Sequence, residues 1–198
     1  MAEWKIKDLI LAIMFVSWGV ARVVSCPEEL RFSFPTLAPA ALQWLVAGLF
    51  LMRSKAKRDG DTLGLSATAI SLLLGGGLVS LLPLKPWPMS GAITFAVGAA
   101  FTAFSLSVLG SSFAIFPARR TLKTGGPYRL IRHPAYFGET IMLFGVAVTI
   151  GSVAGWVLMA ATVAAFVFRI QGEERVWQTD EFAAYRQQTP WRLLPGIW

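Results

Sequence analysis

The fold turns on the stretch FGETIMLFGVAVTIGSVAGWVLMAATVAAFVFRI, residues 137–170. It is apolar almost throughout, and at about 1.5 Å per residue one helix of that length would run about 20 Å past a hydrocarbon core of about 30 Å. Gly151, Ser152 and Gly155 interrupt it, and such residues favour a turn over a helix interior. The stretch therefore reads as a helical hairpin with a short first arm. Working back toward the N-terminus, four further apolar stretches, 9–25, 37–52, 65–84 and 89–110, each come near the ~17–25 residues that cross a bilayer as a helix. The polar loop 53–64 and the Pro83, Pro86, Pro88 connection separate them. The expected fold is an all-α integral membrane protein with four transmembrane helices, a C-terminal helical hairpin, and a cytoplasmic C-terminal helix and tail. It forms a single domain over residues 1–198.

Composition agrees. Of 198 residues, 55% are hydrophobic and 15% charged, and mean hydropathy is +0.59, whereas soluble domains carry about 25% charged residues. Low charge and 13% aromatic residues are the reverse of a composition that stays disordered. The net charge of +7 raises the question of nucleic acid, and the placement of the charges answers it. Collecting the N-terminus, the 53–64 loop, the 111–136 segment and the tail after 168 on one side gathers 15 of the 18 Lys and Arg there, leaving Arg22, Arg31 and Lys85 for the other. The positive-inside rule then puts both termini in the cytoplasm, and no nucleic-acid partner is expected.

Val23-Val24-Ser25-Cys26 has the look of a lipoprotein-type cleavage site. Arg22 just before it and the spans that follow speak against processing, and Cys26 reads as a small buried or interfacial residue. Cys26 and His133 are the sole members of their types, so an internal disulfide or a Cys/His metal site cannot be assembled. No metal is expected, and any catalytic histidine is His133. The tryptophans, Trp18, Trp87 and Trp156 among them, read mostly as interfacial anchors, with Trp177 and Trp191 near the candidate site.

The chemistry concentrates in Lys123–Gly138, with the lone histidine, two prolines, three glycines and two tyrosines directly before the hairpin. Gly125-Gly126-Pro127 must turn sharply. Pro134 keeps His133 out of a helix, which places the next helix start near Tyr136, with free amides suited to an anion. Glu139 heads the apolar run, either complementing the helix N-terminus or acting as an intramembrane carboxylate toward a substrate proton or headgroup. Where the hairpin returns to the same side, Arg169, Glu173, Glu174 and Arg175 cluster. Adjacent helical residues point apart, so one carboxylate is expected to pair with Arg169 or face solvent while the other turns inward.

Gly126-Pro127-Tyr128-Arg129, Arg132-His133-Pro134-Ala135-Tyr136-Phe137-Gly138, the hairpin, Glu173-Glu174, and a tail with Glu181, Phe182, Tyr185, Pro190 and Arg192 together resemble the integral-membrane methyltransferases related to isoprenylcysteine carboxyl methyltransferase and the phospholipid N-methyltransferases. The resemblance covers about the last eighty residues, and the first 110 match only in being multi-span. It departs at Trp191, which separates Pro190 from Arg192 where several relatives have Arg directly after Pro. It implies S-adenosylmethionine bound at the cytoplasmic side, a lipophilic acceptor entering from the membrane, and an activity most like isoprenylcysteine carboxyl methyltransferase. By motif, Gly126, Tyr128, Arg132, His133, Pro134, Tyr136, Gly138, Glu173 and Glu174 would bind the cofactor. Arg129, Tyr185 and Arg192 would meet the acceptor, and Glu139, Glu174 and Arg192 would be catalytic. In that scheme residues 1–110 face the acceptor, and 111–198 supply the cofactor loop, hairpin and tail.

Two other readings use the same membrane fold. A nicotinamide-dependent reductase of the sterol-reductase type finds no matching motif here. A transporter or non-catalytic scaffold would use Gly75-Gly76-Gly77 for packing or for a pathway.

Overall fold

The computed structural model describes residues 3–83 and 85–198; Leu84, at the end of the third expected span, lies outside the described residues. Among the described residues seven α-helices follow one another: α1 (Glu3–Ser25), α2 (Phe34–Met52), α3 (Thr62–Ser80), α4 (Met89–Leu109), α5 (Pro134–Ile150), α6 (Val153–Val176) and α7 (Asp180–Gln188). Five of them, α1, α2, α3, α4 and α6, are long and apolar enough to cross a membrane, and α5 is shorter. The chain is a multi-pass integral membrane protein. Exposed Leu73, Ile93, Val97, Val157 and Phe168 give the bundle an apolar perimeter, which suits lipid and would be costly in water.

The helices pack as antiparallel pairs wherever small residues let backbones approach. A Cβ on Gly138 of α5 would stand 2.8 Å from the Thr102 amide nitrogen and 2.9 Å from the Gly98 carbonyl of α4. One on Gly145, two turns further, would stand 2.6 Å from the Phe95 nitrogen. In the α3/α6 pair, Gly172 lies against Gly64, with 2.7 Å between its would-be Cβ and the Gly64 Cα. The α1/α2 pair is clasped at one end by Asp8, which is buried and ion-paired with Arg53. A core of Phe95, Tyr136, Leu143, Phe166 and Ile170 joins α4, α5 and α6. Trp87 belongs to that core, edge-on to Phe95 at 5.2 Å. Trp87, expected as an interfacial anchor, is buried instead.

The hairpin is as expected. Gly151 ends α5 in the left-handed region at φ 66°, and Ser152 caps α6 by accepting from the Gly155 amide at 3.2 Å. Because α5 has 17 residues and α6 has 24, the far end of α6 projects about 10 Å beyond the start of α5. That projection carries Glu173 and Glu174 past the start of α5 to the level of the His133 loop. The helix starts at Pro134 rather than near Tyr136, since proline at the first helical position loses no hydrogen bond.

The two polar segments at this basic end also pair with each other. Arg58–Asp59 (β1) and Ala118–Arg119 (β2) form an antiparallel bridge with Arg58 opposite Arg119. Arg120 Nε adds a hydrogen bond to the Ser54 carbonyl at 2.9 Å. This closes the loops over the ends of α2, α3 and α4.

Candidate active site

A cavity of about 400 Å³ runs from the basic end into the bundle. Its outer part is walled by the loop before α5, the projecting end of α6, and α7. Its inner part is walled by Leu42 and Val46 of α2, Gly76 and Val79 of α3, and Leu143 of α5. One end is charged and aromatic, and the other is apolar.

Glu174 organises the charged end. Its Oε1 accepts from Arg132 Nε at 2.8 Å and lies 3.3 Å from His133 Nε2, while Oε2 accepts from Arg192 Nε at 3.0 Å. Arg132 also donates through Nη1 to the carbonyls of Thr189 (2.8 Å) and Pro190 (2.6 Å). The tail is stitched to the loop by backbone bonds from Arg132 N to Trp191 O and from His133 N to Arg192 O, both 2.9 Å. Arg192 is stacked over the Trp198 ring at 5.2 Å. Glu174 therefore ties together α6, the histidine loop and the tail.

Glu173 faces the neighbouring side of the cavity. It accepts from the Tyr136 hydroxyl and lies 3.7 Å from both Arg169 Nε and His133 Nδ1. One carboxylate, Glu173, pairs with Arg169 as expected, but it does so while facing the cavity, so both glutamates line it. The two side chains do diverge by about 100° around the helix. Beyond the start of α5, however, the end of α6 is enclosed by loop on one side and tail on the other, so both directions are interior.

Arg169, which the sequence suggested chiefly as an ion-pair partner, is a buried hub on the cavity wall. It donates to the Ile115 carbonyl at 2.7 Å and reaches Ser71 Oγ at 3.4 Å, with its guanidinium 4.9 Å from the Tyr136 ring centre. Its spacing of four from Glu173 was the available signal. Ile115 and Ser71 offered none.

Two phenols complete the outer wall. Tyr185 donates to the Tyr128 carbonyl at 2.7 Å, and burial pushes its pKa up to about 12. Tyr128, whose hydroxyl reaches the Ser105 carbonyl at 3.3 Å, is raised further still, by burial first and then by the Glu173 carboxylate. Both remain neutral hydrogen-bonding groups at physiological pH.

Of the residues singled out from sequence, Tyr128, Arg132, His133, Tyr136, Glu139, Glu173, Glu174 and Tyr185 line this cavity. Five others lie off its wall. Gly126 is exposed and serves the turn at φ 58°, and Arg129 is exposed beside it. Pro134 is buried at the first position of α5. Gly138 is consumed by the α4 contact, which leaves no face for a cofactor. Arg192 lines an adjoining outer hollow with Arg175 and Arg186, and its side chain reaches the main site through Glu174. Among the described residues no cluster of His, Cys, Asp and Glu has the arrangement of a metal site.

Residues 87–184 match the phospholipid methyltransferase family. The match spans α4 through most of α7, and so covers Tyr128, the histidine loop, Glu139 and both glutamates of α6. The match bears out the resemblance of this segment to the membrane methyltransferases. No curated protein matches the chain significantly.

Proposed function

We propose that the protein transfers a methyl group from S-adenosylmethionine to a lipophilic acceptor, with the basic end of the bundle and both termini at the cytoplasmic face. The observation that carries this reading is the two-character cavity, charged where it meets the loops and apolar where it enters the bundle. The donor brings an ammonium, a carboxylate, ribose hydroxyls, an adenine ring and a cationic sulfonium. The outer part of the cavity offers a counterpart for each kind of group: carboxylates from Glu173 and Glu174, cationic and donor groups from Arg132 and His133, and aromatic faces from Tyr136, Trp177 and Phe182. The donor supplies a reactive methyl on sulfur. The chain supplies alignment and a closed site, which are the main needs of an in-line displacement.

In this reading Glu174 meets the ammonium, and Arg192, more exposed than the other partners of that carboxylate, yields its place to it. Glu173, held by Tyr136, Arg169 and His133, keeps its orientation throughout. The acceptor's tail lies along the apolar arm past Gly76 and Val79. The test is calorimetric titration of S-adenosylhomocysteine into the purified protein in detergent and in nanodiscs. Saturable one-site binding is expected. Glu174→Gln should weaken it about 10- to 100-fold, the range for losing one charged hydrogen-bond partner. Absence of binding to the unaltered protein in both media would overturn the proposal.

A further inference from the structure

The loop after α2 and the segment after α4 are fastened to each other by their backbones. Gly60 N donates to the Pro117 carbonyl at 2.8 Å, Lys57 N to the Arg119 carbonyl at 2.7 Å, and Ser54 N to the Ser111 carbonyl at 2.8 Å. The approach is so close that a Cβ on Gly60 would stand 2.6 Å from the Pro117 Cβ. This fastening sets Arg58 of β1 directly opposite Arg119 of β2, with Asp59 opposite Ala118. Side chains facing each other across an antiparallel pair start about 5 Å apart, and like charges there repel. Among the described residues neither guanidinium has a hydrogen bond or an ion pair, and the Nε of half-buried Arg119 is enclosed without a partner. Two acids at this end are already committed, Asp8 to Arg53 and Asp61 to Arg175. Exposed Lys55 and Lys57 add further positive charge to the same loop. The fold holds two arginines together at a cost that no described ion pair offsets.

Apolar residues on either side fix the depth of the pair. Leu51 and Met52 end α2, Leu63 lies in the first turn of α3, and Phe116 comes two residues before β2. All four are exposed, which suits side chains that meet lipid at the edge of the hydrocarbon. Arg58 and Arg119 therefore stand where the bundle leaves the hydrocarbon, at the level of the headgroups. A phosphate diester at that level would accept paired N–H groups from one guanidinium and be attracted by the other. A headgroup of net negative charge suits the cluster, whereas a choline headgroup brings a cation against it. Free phosphate lacks the acyl chains that the four exposed apolar side chains are placed to meet.

From this juxtaposition we infer that the Arg58–Arg119 pair binds the phosphate of an anionic phospholipid in the leaflet at the basic end of the bundle. Neither arginine belongs to the cavity lining, but Ala118, Thr121, Leu122 and Lys123 of the same segment do. The bound headgroup braces one cavity wall from outside, through β2. This site goes beyond the methyltransferase reading and does not depend on it.

The test uses the full chain purified in a neutral detergent. Native mass spectrometry follows binding of phosphatidylglycerol, phosphatidylcholine or inorganic phosphate, each added alone and the last also in competition. Phosphatidylglycerol should form a discrete one-to-one adduct, at least about tenfold tighter than phosphatidylcholine. Arg58→Ala and Arg119→Ala should each weaken that adduct about fivefold or more, the worth of one cation at a lipid surface. Lys7→Ala, which removes an exposed charge at the same end of the bundle, should change it less than about twofold, as screening predicts for a charge outside the site. Arg58→Gln and Arg119→Gln repeat the measurement if an alanine variant shows no thermal transition. Thermal unfolding is the second readout. Phosphatidylglycerol at about ten times its Kd should raise the Tm of the parent by about 3–6 °C, and that of the double alanine variant by less than half as much. Equal binding of the two lipids, unchanged affinity in either arginine variant, an equal loss in Lys7→Ala, or displacement of the lipid by millimolar inorganic phosphate overturns the inference.

Discussion

Gly138 lies inside the histidine motif, yet its surroundings assign it to the α4/α5 seam, and Gly138→Ala separates the two roles. The added Cβ would press first on the Thr102 hydroxyl, and would also stand 2.8 Å from the Thr102 nitrogen and 2.9 Å from the Gly98 carbonyl, where ordinary contact begins at 3.4 Å. The hydroxyl can rotate away, but the nitrogen and the carbonyl are backbone, so α4 must retreat as a body. Overpacking of this kind costs about 1–3 kcal/mol, and the better helix propensity of alanine returns up to about 1 kcal/mol. A net loss of about 1–2 kcal/mol in a chain of this size corresponds to about 2–8 °C in Tm. The assay is thermal unfolding in detergent, run beside S-adenosylhomocysteine titration at a temperature where both proteins are folded. Gly48→Ala in α2, where nothing lies within 4 Å of the new Cβ, is the control and should leave Tm unchanged or raised. Gly138→Ala should lower Tm and leave the affinity near that of the parent. A normal Tm with lost affinity would refute the packing role and return this glycine to the cofactor site.

Gly76 lines the apolar arm with open space around its Cβ position, so Gly76→Leu should raise the KM for the acceptor about tenfold or more while S-adenosylhomocysteine binding is unchanged. Tyr185 has its pKa raised from 10.0 to about 12 by burial. Its contribution is therefore complete below pH ~10 and lost as pH rises through ~12, because the unfolded phenol ionises first. Thermal unfolding of the parent should weaken across that window, and Tyr185→Phe should show a smaller decline. Orientation is open to impermeant-maleimide labelling in intact cells: a cysteine at exposed Phe32 should react from outside, and one at exposed Lys57 only after permeabilisation.

The membrane helices and the hairpin were legible because hydropathy over a bilayer's length is a strong one-dimensional signal, and because Gly151, Ser152 and Gly155 mark the reversal. The histidine loop and the glutamate pair were legible from spacing alone, since a hairpin must return its chain to the side it left. What sequence could not show were consequences of helix length and of close approach. The 17- and 24-residue arms lift Glu173 and Glu174 into a surround of loop and tail, which turns both inward. Gly138 carries a motif position and a packing position in one residue, and only the distance to α4 separates them. The two-residue bridge between Arg58–Asp59 and Ala118–Arg119 joins segments with no strand-like patterning. Gly76, Ser71 and Thr102 belong to the cavity wall through the way helices from the first half close against the second, and no local motif records that.

The central claim is methyl transfer from the charged end of one cavity to an acceptor lying in its apolar arm. It is tested most directly by incubating the purified protein with S-adenosylmethionine labelled in its methyl group and a total lipid extract, with Glu174→Gln in parallel, and identifying labelled products by mass spectrometry. The predicted result is label in a discrete lipophilic product made by the parent and sharply reduced in the variant. Label absent from every lipid fraction, from a protein shown by its thermal transition to be folded, would contradict it.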